Sequence, residues 1–168
     1  VMTKCTVGLL EPDEGHVTFD GRNFTNMDRR GRKAVRQEIG MLFQGSALFD
    51  SMTVGENVLF PLRMFSDLTE SQMRERAAFC LERVELNHAT DKFPSELSGG
   101  MQKRVGIARA ISMNPKYLFC DEPNSGLDPQ TAIVIDKLIV DLTCEFNMTT
   151  VVVSHDMNSV MEASDFIH

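Results

Sequence analysis

The sequence predicts an α/β fold with a parallel sheet and a helical subdomain. An apolar strand at 116–120 is followed by a helical pattern at about 130–146 and by a second apolar strand at 150–154. This order indicates a parallel connection, and uninterrupted apolar strands indicate a sheet buried on both faces. Between 54 and 90 the pattern is helical throughout, which predicts a small helical lobe beside the sheet.

The first elements of the chain are shorter. Residues 1–10 have the pattern of a helix, and Val17–Phe19 is an alternating strand that ends at an Asp-Gly turn. A basic helical patch at 29–36 then leads to a strand at 39–43, which ends at Gln44.

The helical lobe has its own boundary signals. Val54–Leu62 is apolar and ends near Pro61, and Thr69–Val84 is amphipathic with a Thr-x-x-Gln capping pattern. At the end of the chain, "ASDFIH" (163–168) has the pattern of a further strand.

The composition excludes several classes of protein. The 168 residues are 42% apolar, enough for one compact core. The 24 acidic residues outnumber the 17 basic ones and give a net charge of −7, which argues against nucleic acid as a partner. The four cysteines are scattered without a Cys-x-x-Cys pair, which indicates reduced thiols in a cytoplasmic protein. No apolar run has the length of a membrane span, so we expect none.

A serine and two glycines open the helix in "ELSGGMQKRVGIARA", which runs from Glu96 to Ala110. Ser98 is a good N-cap, and Gly99 and Gly100 allow another molecule to approach the free N–H groups of the first turn. Such a helix end is a site for anions, of which phosphate is the commonest. An ordinary capped helix has the same pattern, so this stretch alone does not decide between the two.

Carboxylates follow the strand at 116–120. Asp121 and Glu122 stand at its carboxyl end, where parallel sheets place their ligands. Since side chains alternate along a strand, one carboxylate can face a magnesium ion while the other polarises a water molecule. A solvated acidic turn is the alternative. His155 follows the strand at 150–154 and is expected at the same edge.

Five motifs occur in an order that resembles the nucleotide-binding subunits of ABC transporters. They are Gln44 after a strand, "LSGGM", "YLFCDEP", "SGLD" and "VSHD". The resemblance implies a P-loop NTPase-like ABC ATPase core with a parallel sheet and a helical subdomain. Residues 1–44 and 114–168 would form the RecA-like core, and about 45–113 the helical subdomain with the signature motif.

The resemblance also implies roles for the residues at the predicted sheet edge. Gln44 would be the Q-loop glutamine, near magnesium and the attacking water. Asp121 would be the Walker B carboxylate that binds Mg²⁺, and Glu122 would be the general base. His155 would be the switch histidine that senses the γ-phosphate of ATP.

The remaining motifs imply a second subunit. Ser98, Gly99, Gly100 and Met101 would form the signature loop, which grips the γ-phosphate of ATP bound to the opposite subunit. Asp128 would be the D-loop aspartate. The implied partners are a second copy of the ATPase and a membrane permease, with the protein peripheral to the cytoplasmic face of the inner membrane.

A finer resemblance concerns Met41–Arg63, "MLFQGSALFDSMTVGENVLFPLR". This stretch looks like the ATPases of Mla- or Mce-associated phospholipid transport systems, and Met101 in place of the usual glutamine is common in that subgroup. The alternative is a generic Q-loop and helical lobe, as in importers of many other solutes.

No Gly-Lys pair occurs in the chain, so the phosphate-binding loop G-x-x-x-x-G-K-[ST] is missing. Residues 1–10 resemble the helix that follows this loop in the family. We therefore expect a fragment of a longer ATPase that is inactive alone. Two other interpretations stay open: a soluble ABC-type ATPase acting on DNA or ribosomes, and a non-catalytic interaction module.

Overall fold

The computed structural model of the protein describes residues 1–155, and the strand predicted within 163–168 lies outside them. The described part confirms an α/β fold with a parallel sheet and helices. Its helices are α1 (Met2–Thr6), α2 (Arg29–Gln37), α3 (Val54–Phe65), α4 (Glu70–Arg83), α5 (Gly99–Ile111) and α6 (Pro129–Glu145). Its strands are β1 (Thr18–Phe19), β2 (Arg22–Asn23), β3 (Ile39–Leu42), β4 (Tyr117–Asp121) and β5 (Thr149–Val153).

The sheet is parallel, in the order β3–β4–β5. Leu42 lies opposite Cys120, and Asp121 lies opposite Val153, so all three strands end at the same edge. The prediction that the strands are buried on both faces is confirmed for β4 and is wrong for β5. Val151 of β5 stays 39% exposed, and among the described residues it belongs to neither apolar cluster.

A small second core holds the N-terminal elements against the sheet. It contains Val7, Phe19, Phe24, Val35 and Phe119. The hairpin of β1 and β2 is also tied to the end of α2 by a bidentate ion pair, in which Arg22 donates to both carboxylate oxygens of Glu38 at 2.9 and 2.7 Å. These hydrogen bonds hold the pKa of Glu38 below its ordinary value.

The helical region begins its helices as the sequence predicts but continues one of them further. Thr53 and Thr69 both form capping boxes, with Glu56 and Gln72 as their partners. Helix α3 does not end near Pro61 as expected and continues to Phe65. Its buried face, which includes Val58 and Leu62, contributes enough packing to offset the hydrogen bond that proline cannot make.

The Phe65 end of α3 has support from outside the helix. The side-chain amide of Gln37 in α2 donates to the Phe65 carbonyl at 2.7 Å. The helix ends at Ser66 because its backbone is extended (φ −101°, ψ +158°), and its N–H and hydroxyl both donate to the Leu62 carbonyl.

Helix α5 lies at the centre of the main core, and its backbone approaches β3 closely. A Cβ added at Gly40 would lie 2.4 Å from the backbone oxygen of Ala110, and one added at Gly106 would lie 2.8 Å from Leu42 Cδ1. Glycine at both positions therefore permits the contact. The core continues from the helical region into the sheet, through Leu42, Ile107 and Leu118.

The cysteines are free thiols, as expected. Burial raises the pKa of Cys80 to about 11 and that of Cys120 to about 12. Of the helices within residues 1–155, none combines the length and apolar character needed to cross a membrane.

We predict that Gly40→Ala lowers the free energy of unfolding by about 1–3 kcal/mol, because the new methyl group pushes α5 away from β3. Urea denaturation measures this loss. Gly45→Ala is the matched control, since a Cβ there meets no atom within 4 Å, and it should change stability by less than about 0.5 kcal/mol. Equal stability of the two variants would contradict the close contact.

Candidate functional site

The carboxyl edge of the sheet gathers four of the predicted site residues. Gln44 follows β3, Asp121 ends β4, Glu122 comes directly after it, and His155 lies two residues beyond β5. Since the three strands are parallel and in register, these residues lie along one edge of the sheet. The sequence predicted this gathering for Asp121, Glu122 and His155 because parallel strands end at a common edge, and the family resemblance implied it for Gln44.

Glu122 is held in an unusual backbone conformation. Its φ is +51°, in the left-handed region that non-glycine residues rarely adopt. Its N–H donates to the Val153 carbonyl at 2.8 Å, and its carbonyl accepts from the Ser125 N–H at 3.2 Å. Its carboxylate lies 2.7 Å from Nδ1 of His155, whose side chain is 82% exposed. The turn thus directs the carboxylate towards the histidine at the open edge.

The loop after Gln44 also has left-handed residues. Ser46 and Ala47 have φ of +59° and +46°, and the carbonyls of both accept from the Arg109 guanidinium at 2.6 and 2.7 Å. The Gln44 side-chain amide donates to the Ser125 hydroxyl at 3.2 Å. The loop after β3 and the loop after β4 are therefore joined directly through Gln44 and Ser125.

Asp121 and Gln44 have the chemistry that magnesium requires. Within residues 1–155 the half-buried Asp121 carboxylate has no hydrogen bond or ion pair in the structure, and the side-chain oxygen of Gln44 also has no donor. Carboxylate and amide oxygens are suitable ligands for Mg²⁺, which keeps several waters or phosphate oxygens. With two such oxygens, the residues present fit a magnesium ion whose other ligands are waters or phosphate oxygens. Among the described residues there is no group of three or more acidic, His or Cys side chains that could hold a metal.

The serine and glycines at the start of α5 are partly available to another molecule. Ser98 caps the helix by accepting from the Met101 N–H at 3.3 Å. Gly99 is exposed, whereas Gly100 is buried. A Cβ at Gly100 would lie 2.6 Å from Cγ2 of Thr131. Gly99 is therefore accessible at the start of the helix, whereas Gly100 permits α5 to pack against α6.

Asp128 caps α6. Its carboxylate accepts from the N–H groups of Gln130 and Thr131 at 3.1 and 3.0 Å and from the Thr131 hydroxyl at 2.5 Å. These hydrogen bonds, led by the Thr131 hydroxyl, lower the pKa of Asp128. Because Thr131 also contacts Gly100, the turn at Asp128 and the start of α5 are adjacent.

The four edge residues and the start of α5 form separate groups. Among the described residues, no hydrogen bond joins Ser98 or Met101 to Gln44, Asp121, Glu122 or His155. One turn further along α5, however, Lys103 contacts both loops: its ammonium donates to the carbonyls of Gln44 and Glu122. Lys103 is not among the site residues that the sequence predicts. A signal was nevertheless present, because this lysine lies on the helix face that also carries the buried residues Gly100, Ile107 and Ile111.

A groove of about 450 Å³ lies behind the loop that follows Gln44, between α2, β3, α3 and α5. Phe49, Phe60 and Phe65 supply much of its apolar surface, and Phe49 and Phe60 pack with ring centroids 4.7 Å apart. Arg36 and Arg109 also line it. The groove therefore combines an apolar wall with positive charge.

Known proteins are similar to this chain in sequence and in fold. The sequence matches the ABC transporter family over residues 1–125. It is 40% identical over 157 residues to "Methionine import ATP-binding protein MetN 1" of Pseudomonas syringae, a match that covers 94% of the chain and 47% of that protein. It is 38% identical over 165 residues to "Probable ribonucleotide transport ATP-binding protein mkl" of Mycobacterium leprae, covering 98% and 48%. The chain thus spans about half the length of these curated relatives.

Solved structures agree with this similarity. The ATP-binding cassette MJ0796, in a dimeric post-hydrolysis state bound to ADP and Pi, superposes with a TM-score of 0.83 at 35% identity, covering 94% of the chain and 70% of the cassette. CbiO1 from Clostridium perfringens, part of the ABC transporter complex cbiONQ, superposes with a TM-score of 0.87 at 34% identity, covering 98% and 65%. By sequence and by fold, the chain belongs to the ABC transporter family, in its ATP-binding domain.

Proposed function

We propose that the whole protein hydrolyses ATP and serves as the ATP-binding subunit of an ABC transporter. The observation that carries the proposal is the arrangement at the sheet edge, where Glu122 contacts His155 and the Glu122 loop is joined to Gln44 through Ser125. A carboxylate paired with an imidazole beside an amide can orient a water molecule and take a proton from it.

Each edge residue has a distinct role in this proposal. Glu122 accepts the proton of the attacking water, whose oxygen bonds to the terminal phosphorus of ATP as the bond to ADP breaks. His155 keeps the Glu122 carboxylate in place, and Gln44 orients the water. Asp121 and Gln44 would hold Mg²⁺, which neutralises phosphate charge when bound.

A second copy of the protein completes the site. The signature loop at 98–101 faces the ATP of the opposite subunit through the Ser98 hydroxyl and the exposed Gly99, at a helix end suited to an anion. Asp128 belongs to the same surface, since Thr131 joins it to Gly100. The dimeric state of the similar cassette MJ0796 supports this homodimer. In the same proposal, 1–44 and 114–168 form the RecA-like core and about 45–113 the helical subdomain.

The groove beside α3 is the proposed docking surface for a membrane permease. Its phenylalanines suit the apolar face of a short helix, and Arg36 and Arg109 suit an acidic residue on that helix. The protein would then lie at the cytoplasmic face of the inner membrane, bound through the permease. The similar CbiO1, which is part of a transporter complex, supports this assembly.

Phospholipid is the cargo that we propose, on the strength of the resemblance of Met41–Arg63 to Mla- and Mce-associated ATPases. The alternative is an importer for another solute, and the names of the methionine-import relatives at 40% identity support it. The segment that carries the lipid proposal includes the groove residues Phe49 and Phe60.

Replacing the proposed base tests the activity. We expect Glu122→Gln in the full-length protein to lower kcat for ATP hydrolysis by about 10²–10⁴-fold while ATP binding is retained, because the amide cannot accept the proton. The exposed Glu82→Gln is the matched control and should leave kcat unchanged. A phosphate-release assay measures both variants. If the full-length protein itself has no turnover, the interaction-module alternative replaces the ATPase.

The docking surface is tested with two exposed phenylalanines. Phe65 in the groove is 44% exposed, and Phe93 outside it is 42% exposed. Phe65→Ser should weaken binding to the permease by roughly 10- to 100-fold, as for a central apolar residue of an interface, whereas Phe93→Ser should not. Co-purification and titration from detergent-solubilised membranes give the two affinities. Equal affinities of the two variants would show that the permease binds a surface other than this groove.

The cargo is tested with the complete transporter in vesicles. We expect ATP-dependent transfer of a fluorescent phospholipid, abolished by Glu122→Gln, and no ATP-dependent accumulation of labelled methionine. Accumulation of methionine without lipid transfer would replace the lipid proposal with the solute-importer alternative.

A further inference from the structure

Lys103 is a charged residue inside the main core. Only 4% of its surface is exposed. Its ammonium donates to the Gln44 carbonyl and, at 3.2 Å, to the Glu122 carbonyl. One side chain of α5 therefore bridges the loops that follow β3 and β4.

Burial of this ammonium has a cost that an apolar residue would avoid. Desolvation lowers the pKa of Lys103, and the nearby Cys120 and Glu122 partly oppose that effect. A buried cation is tolerated when polar groups replace its water. Here those groups are two backbone carbonyls, so the lysine stays in place only while both loops keep their positions.

The two carbonyls belong to the two residues that act on water in the proposed reaction. The carbonyl of a residue fixes the orientation of its peptide plane, and with it the backbone from which the side chain extends. This matters most at Glu122, whose left-handed φ of +51° is a conformation that surrounding contacts must maintain. Among the described residues, its carbonyl accepts from the Ser125 N–H and from the Lys103 ammonium.

We propose that Lys103 is a positioning residue, which holds the backbones of Gln44 and Glu122 together so that their side chains act on the same water molecule. This inference rests on the proposed ATPase function. Lys103 touches neither ATP nor water itself and acts through the two loops. Because it lies in the helix that begins with Ser98, it also links the proposed signature loop to the proposed base.

The test compares Lys103→Met, which keeps the length and loses the charge, with Lys103→Arg, which keeps a donor for both carbonyls. Exposed Lys92→Met is the matched control. In the full-length protein we expect Lys103→Met to lower kcat by about 10- to 100-fold with KM for ATP unchanged, and Lys103→Arg to restore much of kcat. If Lys103 only stabilised the fold, its loss would not lower kcat while leaving KM unchanged, and arginine would not restore kcat selectively.

Amide hydrogen exchange without nucleotide gives a second readout that does not depend on hydrolysis. Lys103→Met should speed exchange at Ser46, Glu122 and Ser125, whose N–H groups donate to the carbonyls of Phe43, Val153 and Glu122, and leave α4 unchanged. If the wild type has no turnover, the proposed ATPase fails while this readout still decides whether Lys103 holds the loops.

Two results would overturn the proposal. One is wild-type exchange at these three amides in Lys103→Met, and the other is a loss of kcat that arginine does not restore and that accompanies a general loss of stability. Should Lys103→Met fail to fold, Lys103→Gln is measured instead, since its neutral, shorter side chain cannot reach both carbonyls and the same expectations apply.

Discussion

The close contact between α5 and β3 is the constraint on which the other features depend. Because Gly40 and Gly106 lack side chains, the backbone of the helix can lie directly on the strand. Long side chains of α5 then reach past the end of β3, so that Lys103 contacts Gln44 and Arg109 contacts the carbonyls of Ser46 and Ala47. If the helix lay further from the strand, these cations would lose their acceptors and the loop carbonyls would lose their donors. Each buried polar group without a hydrogen bond would lower the stability of the fold.

Backbone strain and cation contacts coincide in this structure. Three of the non-glycine residues with positive φ, Ser46, Ala47 and Glu122, lie in the two loops that α5 holds. Each of their carbonyls accepts a hydrogen bond from Arg109 or Lys103. Such conformations persist only where surrounding contacts maintain them, and they are common at functional sites. The helix thus stabilises the loops that present the proposed catalytic side chains.

Local signals in the sequence predicted most of the elements. Thr69 and Ser98 cap the helices that follow them as expected, because capping depends on residues within one turn. The gathering of Asp121, Glu122 and His155 followed from the rule that parallel strands end at a common edge, whereas the position of Gln44 followed from the family resemblance. Features that depend on distant partners could not be predicted. Helix α3 continues beyond Pro61 because of packing and of Gln37, and Gly100 is buried by Thr131.

The position of α5 explains how this helix can connect two molecules. Its 13 residues form a rod about 20 Å long. One end presents Ser98 and Gly99 at the surface, and the side chains of Lys103 and Arg109 hold the loops of its own sheet edge. A packed helix moves as a unit, since the interior around it is dense and resists local deformation. In the proposed dimer, any displacement of the Ser98 end by the opposite subunit's nucleotide would therefore reach Gln44 and Glu122 through the contacts of Lys103.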